Sequence, residues 1–303
     1  MRVFVTGASG WIGSAVVPEL LAAGHHVVGL ARNEGSADRL RSAGAEPIPG
    51  DLDDLEALHA AASSADAVIH LAFKHDFSDY AASGATERAV VQTFIDALEG
   101  TGKPFLFASG IALVAPGRIA TEDDASPFSA PDAPRGGAEV LALGAADRGI
   151  RPVALRFAPT VHGEGDHGFA AVLAGIAREK GLAGYVGDGT NRWPAVHRSD
   201  AGRLVRLALD SPDTAPVVHA VAEEGIPTRL IAEAIGAAEG VPTASIDPDD
   251  VDAHFGWIGR FFGIDIPASS ALTRARLGWE PTGPTLFDDL AAGHYSPTRA
   301  PAA

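Results

Sequence analysis

Short apolar runs alternate along the first half of the chain with longer stretches in which apolar residues recur every three or four positions. Six runs are typical of buried strands: residues 2–6, 26–30, 45–48, 67–72, 105–108 and 153–157. Helical spacing separates them at 12–23, 53–62, 84–99 and 135–148. Strands that alternate with helices pair in parallel through right-handed crossovers. The pattern therefore predicts an α/β fold with a doubly wound parallel sheet.

The rhythm changes near residue 160. Two glycine-rich loops flank a helical stretch at 169–180, and Val217–Val221 and residues 228–239 fit one more strand and helix. We expect residues 1–160 to form the sheet domain, completed by a later strand from about 195–222. Residues 161–303 then form mainly a smaller C-terminal substrate-binding lobe. Its last residues, Pro297–Ala303, are typical of a loose tail.

Composition narrows the choice of partner and compartment. The chain has 303 residues, no cysteine and a formal net charge of −16. Without cysteine it makes no disulfide and has no thiolate nucleophile. An acidic surface repels nucleic-acid backbones and anionic lipid, so we expect neither nucleic acid nor a membrane as partner. No targeting segment or long apolar run is visible, and we expect a cytoplasmic monomer or homodimer that binds a small-molecule substrate.

A glycine-rich turn joins the first strand to the first helix. Glycines in such a turn let the backbone approach a pyrophosphate, which the helix N-terminus then binds. The position between strand and helix makes the motif more specific than glycine spacing alone. We therefore predict a Rossmann-type NAD(P)-binding domain whose cofactor contacts include Thr6, Gly7, Ser9, Gly10, Trp11, Ile12 and Gly13.

In such a domain, the residue at the end of the second strand recognises the adenosine ribose of the cofactor. An acidic residue there pairs with the free 2′-hydroxyl of NAD, and a cation accepts the 2′-phosphate of NADP. The sequence places Arg32 at this point and no carboxylate. An arginine can pair with phosphate through two hydrogen bonds, so the sequence favours NADP(H) over NAD(H). Asp51 and Leu52 follow the third strand and are placed to hold adenine, although Asp51 could instead cap the next helix.

Four segments together resemble the extended short-chain dehydrogenase/reductases, which include NAD-dependent epimerases and dehydratases. They are residues 6–13, 50–52, 68–72 and 155–163. The resemblance covers nearly the whole chain and is specific for the superfamily but not for a substrate. It implies that further residues line the cofactor: Leu71, Ala72, Phe73, Ser109, Arg135, Phe157 and Pro159.

The catalytic residues of that superfamily are missing. Its members carry a Ser or Thr and a Tyr-x-x-x-Lys pair, in which the tyrosine moves a proton. The three lysines of this chain have His70, Glu99 and Ile176 four residues upstream, so no such pair exists. In the family's register the tyrosine position falls at Pro131, the lysine position at Arg135 and the serine position near Gly110. The chain therefore resembles the atypical branch, which includes ketoreductases of aromatic polyketide antibiotic biosynthesis.

Three residues remain as catalytic candidates. Arg135 cannot give up a proton, but it could stabilise an oxyanion or hold ribose hydroxyls. His162 follows the sixth strand and titrates near neutrality, and Ser109 could replace the missing hydroxyl. Water or the substrate's own hydroxyl could equally supply the proton. The expected substrate contacts are Lys74, His75, Gly110, His162, Tyr185 and Trp193.

These observations favour an NAD(P)H-dependent ketoreductase or carbonyl reductase acting on a bulky small molecule. The aromatic residues of the second lobe suit a flat ligand, although they could equally form the core of that lobe. Two alternatives remain: a non-catalytic NADP(H)-binding sensor, and a nucleotide-sugar epimerase or dehydratase. We expect no metal site, because no helical His-Glu-x-x-His spacing occurs.

Overall fold

Twelve strands and twelve α-helices form the described part of a computed structural model, which covers residues 1–74, 79–112, 114–115 and 117–296. The strands are β1 (Arg2–Thr6), β2 (His26–Ala31), β3 (Glu46–Pro49), β4 (Ala67–His70), β5 (Pro104–Gly110), β6 (Arg151–Phe157), β7 (Thr160–His162), β8 (Ala183–Val186), β9 (Arg192–His197), β10 (Val217–Ala220), β11 (Glu223–Pro227) and β12 (Thr243–Ile246). The helices are α1 (Gly13–Ala22), α2 (Glu34–Ala43), α3 (Leu55–Ser64), α4 (Tyr80–Leu98), α5 (Ala138–Gly144), α6 (Phe169–Lys180), α7 (Arg198–Asp210), α8 (Thr228–Glu239), α9 (Val251–Phe255), α10 (Gly259–Phe262), α11 (Ala271–Leu277) and α12 (Leu286–Ala291). His75 and the expected tail at 297–303 lie outside the described residues.

Seven parallel strands form the central sheet, in the order β10-β6-β5-β4-β1-β2-β3. Helices α1, α2 and α7 bury their apolar residues on one face, and α3, α4 and α5 on the other. Because both faces are covered, the strands are almost wholly buried, as is usual for parallel sheets. The predicted doubly wound α/β fold is confirmed.

The rest of the chain adds two small sheets, β11-β9-β7 and β12-β8. Helices α6, α8, α9, α10 and α12 pack with them around a separate apolar core that contains Trp193 and Phe262. Because β7 follows β6 after only two residues, this part of the molecule is tied directly to the carboxyl edge of the central sheet. Within the described ranges, no helix is long and apolar enough to cross a membrane.

The sequence pattern misses several elements of this structure. Strands β7, β8, β9, β11 and β12 and helices α2 and α7 are absent from the predicted set. The helix expected over 135–148 is also broken into two 3-10 turns around the short α5. Gly137 explains the first break, because its φ is 63° and a Cβ there would lie 2.7 Å from the carbonyl oxygen of Ser129.

Candidate active site

The glycine turn before α1 has the close approaches that the sequence predicts. Gly7 has a φ of 68°, and a Cβ on it would lie 2.7 Å from the amide nitrogen of Ala72. A Cβ on Gly13 would collide with the carbonyl oxygen of Gly7. Gly10 is exposed, and no side chain in the described part of the chain caps the first turn of α1. Such a bare helix N-terminus fits a pyrophosphate.

Two residues predicted to contact the cofactor instead support the turn from below. Thr6 has no exposed surface, and its Oγ1 lies 2.6 Å from Nδ1 of His70 while accepting a hydrogen bond from the amide of Ala72. Gly13 is also buried, where it allows α1 to pack against the turn. Burial prevents both from touching a ligand, which corrects the expectation for them.

Trp11 connects the glycine turn to the rest of the molecule. Its Nε1 donates to the carbonyl oxygen of Val161 at 2.7 Å. The guanidinium of Arg198 stacks 4.2 Å from its ring centre, and His167 meets the ring edge-on at 5.8 Å. Ile12 packs against the core on the same side. The indole group therefore has packing partners on several sides, while Gly10 is the exposed residue of the turn and Ser9, like Trp11, is partly exposed.

An arginine without an ion-pair partner among the described residues, Arg32, lies just after the carboxyl end of β2. Arg32 is exposed, and among the described residues its guanidinium has no hydrogen-bond or ion-pair partner. Arg39, also exposed, donates to the hydroxyl of Ser36 one turn away. Asp51 is exposed and accepts the amide proton of Asp53, while Leu52 is buried in the core. The arginine predicted to read a 2′-phosphate is therefore free to do so.

A buried carboxylate holds Arg135 near the carboxyl end of β4, the strand next to β1. Nη2 of Arg135 donates to Oε1 of Glu87 at 2.8 Å, and the guanidinium lies 4.6 Å from the ring centre of Phe73. Oε2 of Glu87 lies 3.2 Å from Nε2 of His70. Burial alone would raise the pKa of Glu87, but Arg135 and His70 outweigh it and lower that pKa to about 2. Glu87 is therefore an anion, and Arg135 is an ion-paired cation.

A second buried carboxylate fixes Ser109. The Ser109 hydroxyl donates to Oε2 of Glu139 at 2.5 Å. Arg156, only 1% exposed, donates to both oxygens of Glu139. A serine has one proton to donate, and this one is committed to a carboxylate. Ser109 therefore offers its lone pairs, rather than its proton, to any ligand at this edge.

The other residues predicted around this edge are distributed as follows. Gly110 is exposed, and a Cβ on it would meet nothing within 4 Å, so the position where the family has a serine is open space. Lys74 is ion-paired with Asp53 at 2.5 Å. Leu71 and Ala72 are partly buried beside the turn, Pro159 is partly buried, and Phe157 is buried in the core.

His162 is not at an accessible edge, which contradicts its expected contact with substrate. It lies in β7 with 0% exposure, covered by α12, and its Nδ1 is 2.6 Å from Oδ2 of Asp289. Its Nε2 has no hydrogen-bond partner among the described residues; the Glu223 carboxylate is 3.7 Å away. Burial lowers the pKa of His162 despite the neighbouring Asp289. His162 is therefore a core residue that contacts no ligand in this conformation.

Trp193 is likewise a core residue, and its expected substrate contact is corrected. It is 1% exposed and packs against Phe169, Phe261 and Phe262, with ring centres 5.0–5.8 Å away. Aromatic residues of the second lobe thus form part of its own core, which was the alternative to a ligand site. Tyr185 stays partly exposed, with the guanidinium of Arg229 over its ring at 5.7 Å.

Sequence reasoning missed three residues that organise the edge: Glu87, Glu139 and Arg156. One signal was available, because Arg156 interrupts an otherwise apolar strand, and a charge at such a position needs a buried partner. The loop 162–167 resembles a ligand cluster in sequence. Within the described residues, however, no group of three or more His, Asp or Glu side chains is arranged to hold a metal ion.

Comparison with known proteins identifies the family. A model of the NAD dependent epimerase/dehydratase family matches residues 3–222. The chain belongs to this family, and the resemblance drawn from its motifs is confirmed. The chain is therefore a member of the extended short-chain dehydrogenase/reductases, a class of proteins that uses nicotinamide dinucleotides. Residues 131–135 depart from its usual Tyr-x-x-x-Lys pattern.

Individual relatives are similar over most of their length. An uncharacterized protein of Schizosaccharomyces pombe is 45% identical over 97% of this chain and 100% of its own. A sterol-4-alpha-carboxylate 3-dehydrogenase (decarboxylating) of Dictyostelium discoideum is 25% identical, with 96% and 94% covered. A 2-alkyl-3-oxoalkanoate reductase of Stenotrophomonas maltophilia is 29% identical, with 80% and 77% covered. The solved structure of MoeE5 with UDP-glucuronic acid and NAD superimposes with a TM-score of 0.73 at 25% identity, covering 96% and 97%.

Proposed function

We propose that this chain is an NADP(H)-dependent ketoreductase that acts on a bulky small-molecule carbonyl or its alcohol. The observation that carries the proposal is the arrangement of the sheet's carboxyl edge. A bare glycine turn lies at its centre, a free Arg32 on one side, and Ser109, Gly110 and Arg135 on the other. Relatives named as a reductase and a dehydrogenase support oxidoreduction. Gly110 is exposed and adds no side chain at this edge, which is compatible with a bulky ligand.

The contacts at this edge indicate a role for each residue. A bound nicotinamide cofactor supplies the hydride chemistry. Arg135 keeps donors free beyond the one used by Glu87, so it can bind ribose or carbonyl oxygens. Ser109 accepts a hydrogen bond from the ligand, because Glu139 takes its proton. The proton for a nascent alkoxide then comes from water or from a hydroxyl of the substrate.

The choice of NADP(H) rests on Arg32. A guanidinium binds a 2′-phosphate through charge-assisted hydrogen bonds. Because acidic residues outnumber basic ones in this chain, with a net charge of −16, an unpaired cation at this position favours an anionic ligand. Arg39 lies in the second turn of α2, seven residues further along the chain, and could add a second contact. NADP(H) should therefore bind more tightly than NAD(H).

One alternative has a specific observation in its favour. MoeE5 was solved with a nucleotide sugar and NAD, which supports an epimerase or a related sugar-nucleotide reaction. Such reactions need a strong acid and base at the substrate. Within the described residues, the candidates at this edge are Ser109, Arg135 and Lys74, each held by a carboxylate, so we rank this function second.

Stopped-flow oxidation of bound NADPH tests the proposal. Quinones, aromatic ketones and steroid ketones serve as acceptors, and nucleotide sugars serve as the comparison set. We expect ketone-dependent loss of NADPH absorbance with at least one class of bulky ketone. Tight NADPH binding with no oxidation by any ketone would contradict a reductase and favour a cofactor-binding sensor. Turnover of a nucleotide sugar alone would favour the alternative.

A further inference from the structure

We propose that Glu87 is a positioning residue that fixes Arg135 and balances its charge at the nicotinamide end of the cofactor. The consequence is a site that tolerates the oxidised, positively charged nicotinamide ring as well as the neutral reduced ring. This inference rests on the proposed function, because it requires NADP(H) at the sheet edge. It assigns a role to a helix residue that no cofactor motif contains.

Glu87 is a buried carboxylate on the face of α4 that packs on the sheet. Its side chain is only 1% exposed, so its charge needs partners inside the protein. Both oxygens have one: Arg135 at 2.8 Å and His70 at 3.2 Å. His70 in turn contacts Thr6 at 2.6 Å, directly below the glycine turn. A buried polar chain thus links the pyrophosphate turn to Arg135.

Arg135 needs such a constraint. Its φ is 55°, the left-handed region that non-glycine residues rarely adopt, and in the described part of the chain no other non-glycine residue has a positive φ. An unusual backbone angle persists only where the surroundings hold it. The ion pair with Glu87 and the stacking on Phe73 fix the guanidinium from two sides. Its position at the edge is therefore set by side chains from α4 and the end of β4.

Topology places this ion pair near the nicotinamide. In a doubly wound sheet the pyrophosphate lies at the first turn, with the adenosine toward β2 and β3. The reactive end then extends toward β4, β5 and β6, where Phe73 and Arg135 are found. An isolated guanidinium there would repel the oxidised ring but not the reduced ring. Because Glu87 cancels that charge, the repulsion is small in the wild-type chain.

The test is the ratio of the dissociation constants for NADP⁺ and NADPH, measured by calorimetric titration. Glu87→Gln keeps the shape of the side chain and leaves Arg135 as an uncompensated cation. We expect the ratio to rise about tenfold, the order of an unbalanced charge a few ångströms from the ring. The double variant Glu87→Gln/Arg135→Gln should restore the wild-type ratio. An unchanged ratio in Glu87→Gln would overturn the proposal.

A second variant tests the proposal even if Glu87→Gln does not fold. The Arg135 side chain is partly exposed, so Arg135→Gln should fold. It leaves Glu87 unbalanced, and we expect the ratio to fall instead of rise; a ratio that stays constant would also overturn the proposal. Arg148→Gln is the matched control, because this arginine pairs with Asp96 and Glu99 away from the edge and should change nothing.

The same titrations separate the two proposals. Wild-type protein that binds neither NADP⁺ nor NADPH contradicts the proposed function, and the role of Glu87 falls with it. Wild-type protein that binds both, with ratios that the variants do not move, leaves the function standing and contradicts only the role of Glu87.

Discussion

The two sides of the sheet's carboxyl edge are built in different ways. At the glycine turn the geometry is set by backbone and by the lack of side chains, as the approach of Gly7 to Ala72 shows. At the β4 to β6 side it is set by buried ion pairs, Glu87 with Arg135 and Glu139 with Arg156. A bare helix N-terminus of this kind fits a pyrophosphate. The second side is held by side chains that lie far apart in the sequence.

This difference separates binding from chemistry. The turn needs only small residues at fixed spacing, and these survive here intact. On the side where catalysis would occur, Pro131 and Arg135 stand at the family's tyrosine and lysine positions, and the charge of Arg135 is paired with Glu87. The glycine turn can therefore match the family where the residues at the catalytic positions do not.

The largest expected effect comes from filling the glycine turn. Gly7→Val would force a β-branched side chain into a left-handed conformation and against the Ala72 backbone. We expect NADPH binding to become undetectable and the free energy of unfolding to fall by about 3 kcal/mol or more. Calorimetric titration and urea unfolding measure the two effects.

Gly24→Ala is the control for that variant. Gly24 also has a positive φ, 81°, but a Cβ there meets nothing within 4 Å. We expect a loss of about 1 kcal/mol in unfolding free energy with unchanged NADPH affinity. Normal NADPH binding by Gly7→Val would contradict the account of the turn.

Breaking a buried ion pair on the other side should lower the free energy of unfolding. Arg156→Met leaves Glu139 buried without its cation, and removing one partner of a buried pair costs about 3–5 kcal/mol. Urea unfolding should show this loss, while Arg148→Met, which breaks a more exposed pair, should leave the midpoint unchanged. A small effect of Arg156→Met would mean that the pair does not hold the β5 and β6 ends in place.

The same contrast explains what the sequence could predict. The glycine turn, the first helix and Arg32 lie within residues 6–32, so spacing along the chain is enough to recognise them. Glu87 and Arg135 are 48 residues apart, and Ser109 and Glu139 are 30 apart. Nothing local indicates which carboxylate meets which cation. The polar partners of the candidate catalytic residues therefore required the structure.

His162 and Trp193 show the same limit in the second lobe. Each is a residue type that suits a ligand site, and each follows or lies beside a loop. Their burial depends on α12 and α10, which begin at least 66 residues later in the chain and cover them. Residue type alone could not distinguish a ligand contact from a core position.

The most direct test of the central claim, an NADP(H) site in a chain without the usual catalytic pair, is the affinity for NADPH and NADH of wild-type protein and Arg32→Ala. A bidentate contact with the 2′-phosphate predicts that the variant loses about 10- to 100-fold in NADPH affinity and nothing for NADH. Arg41→Ala, which removes an arginine paired with Glu34 and Asp38 on α2, should leave both affinities unchanged. Equal affinities for NADPH and NADH in wild-type protein, unaffected by Arg32→Ala, would contradict the claim.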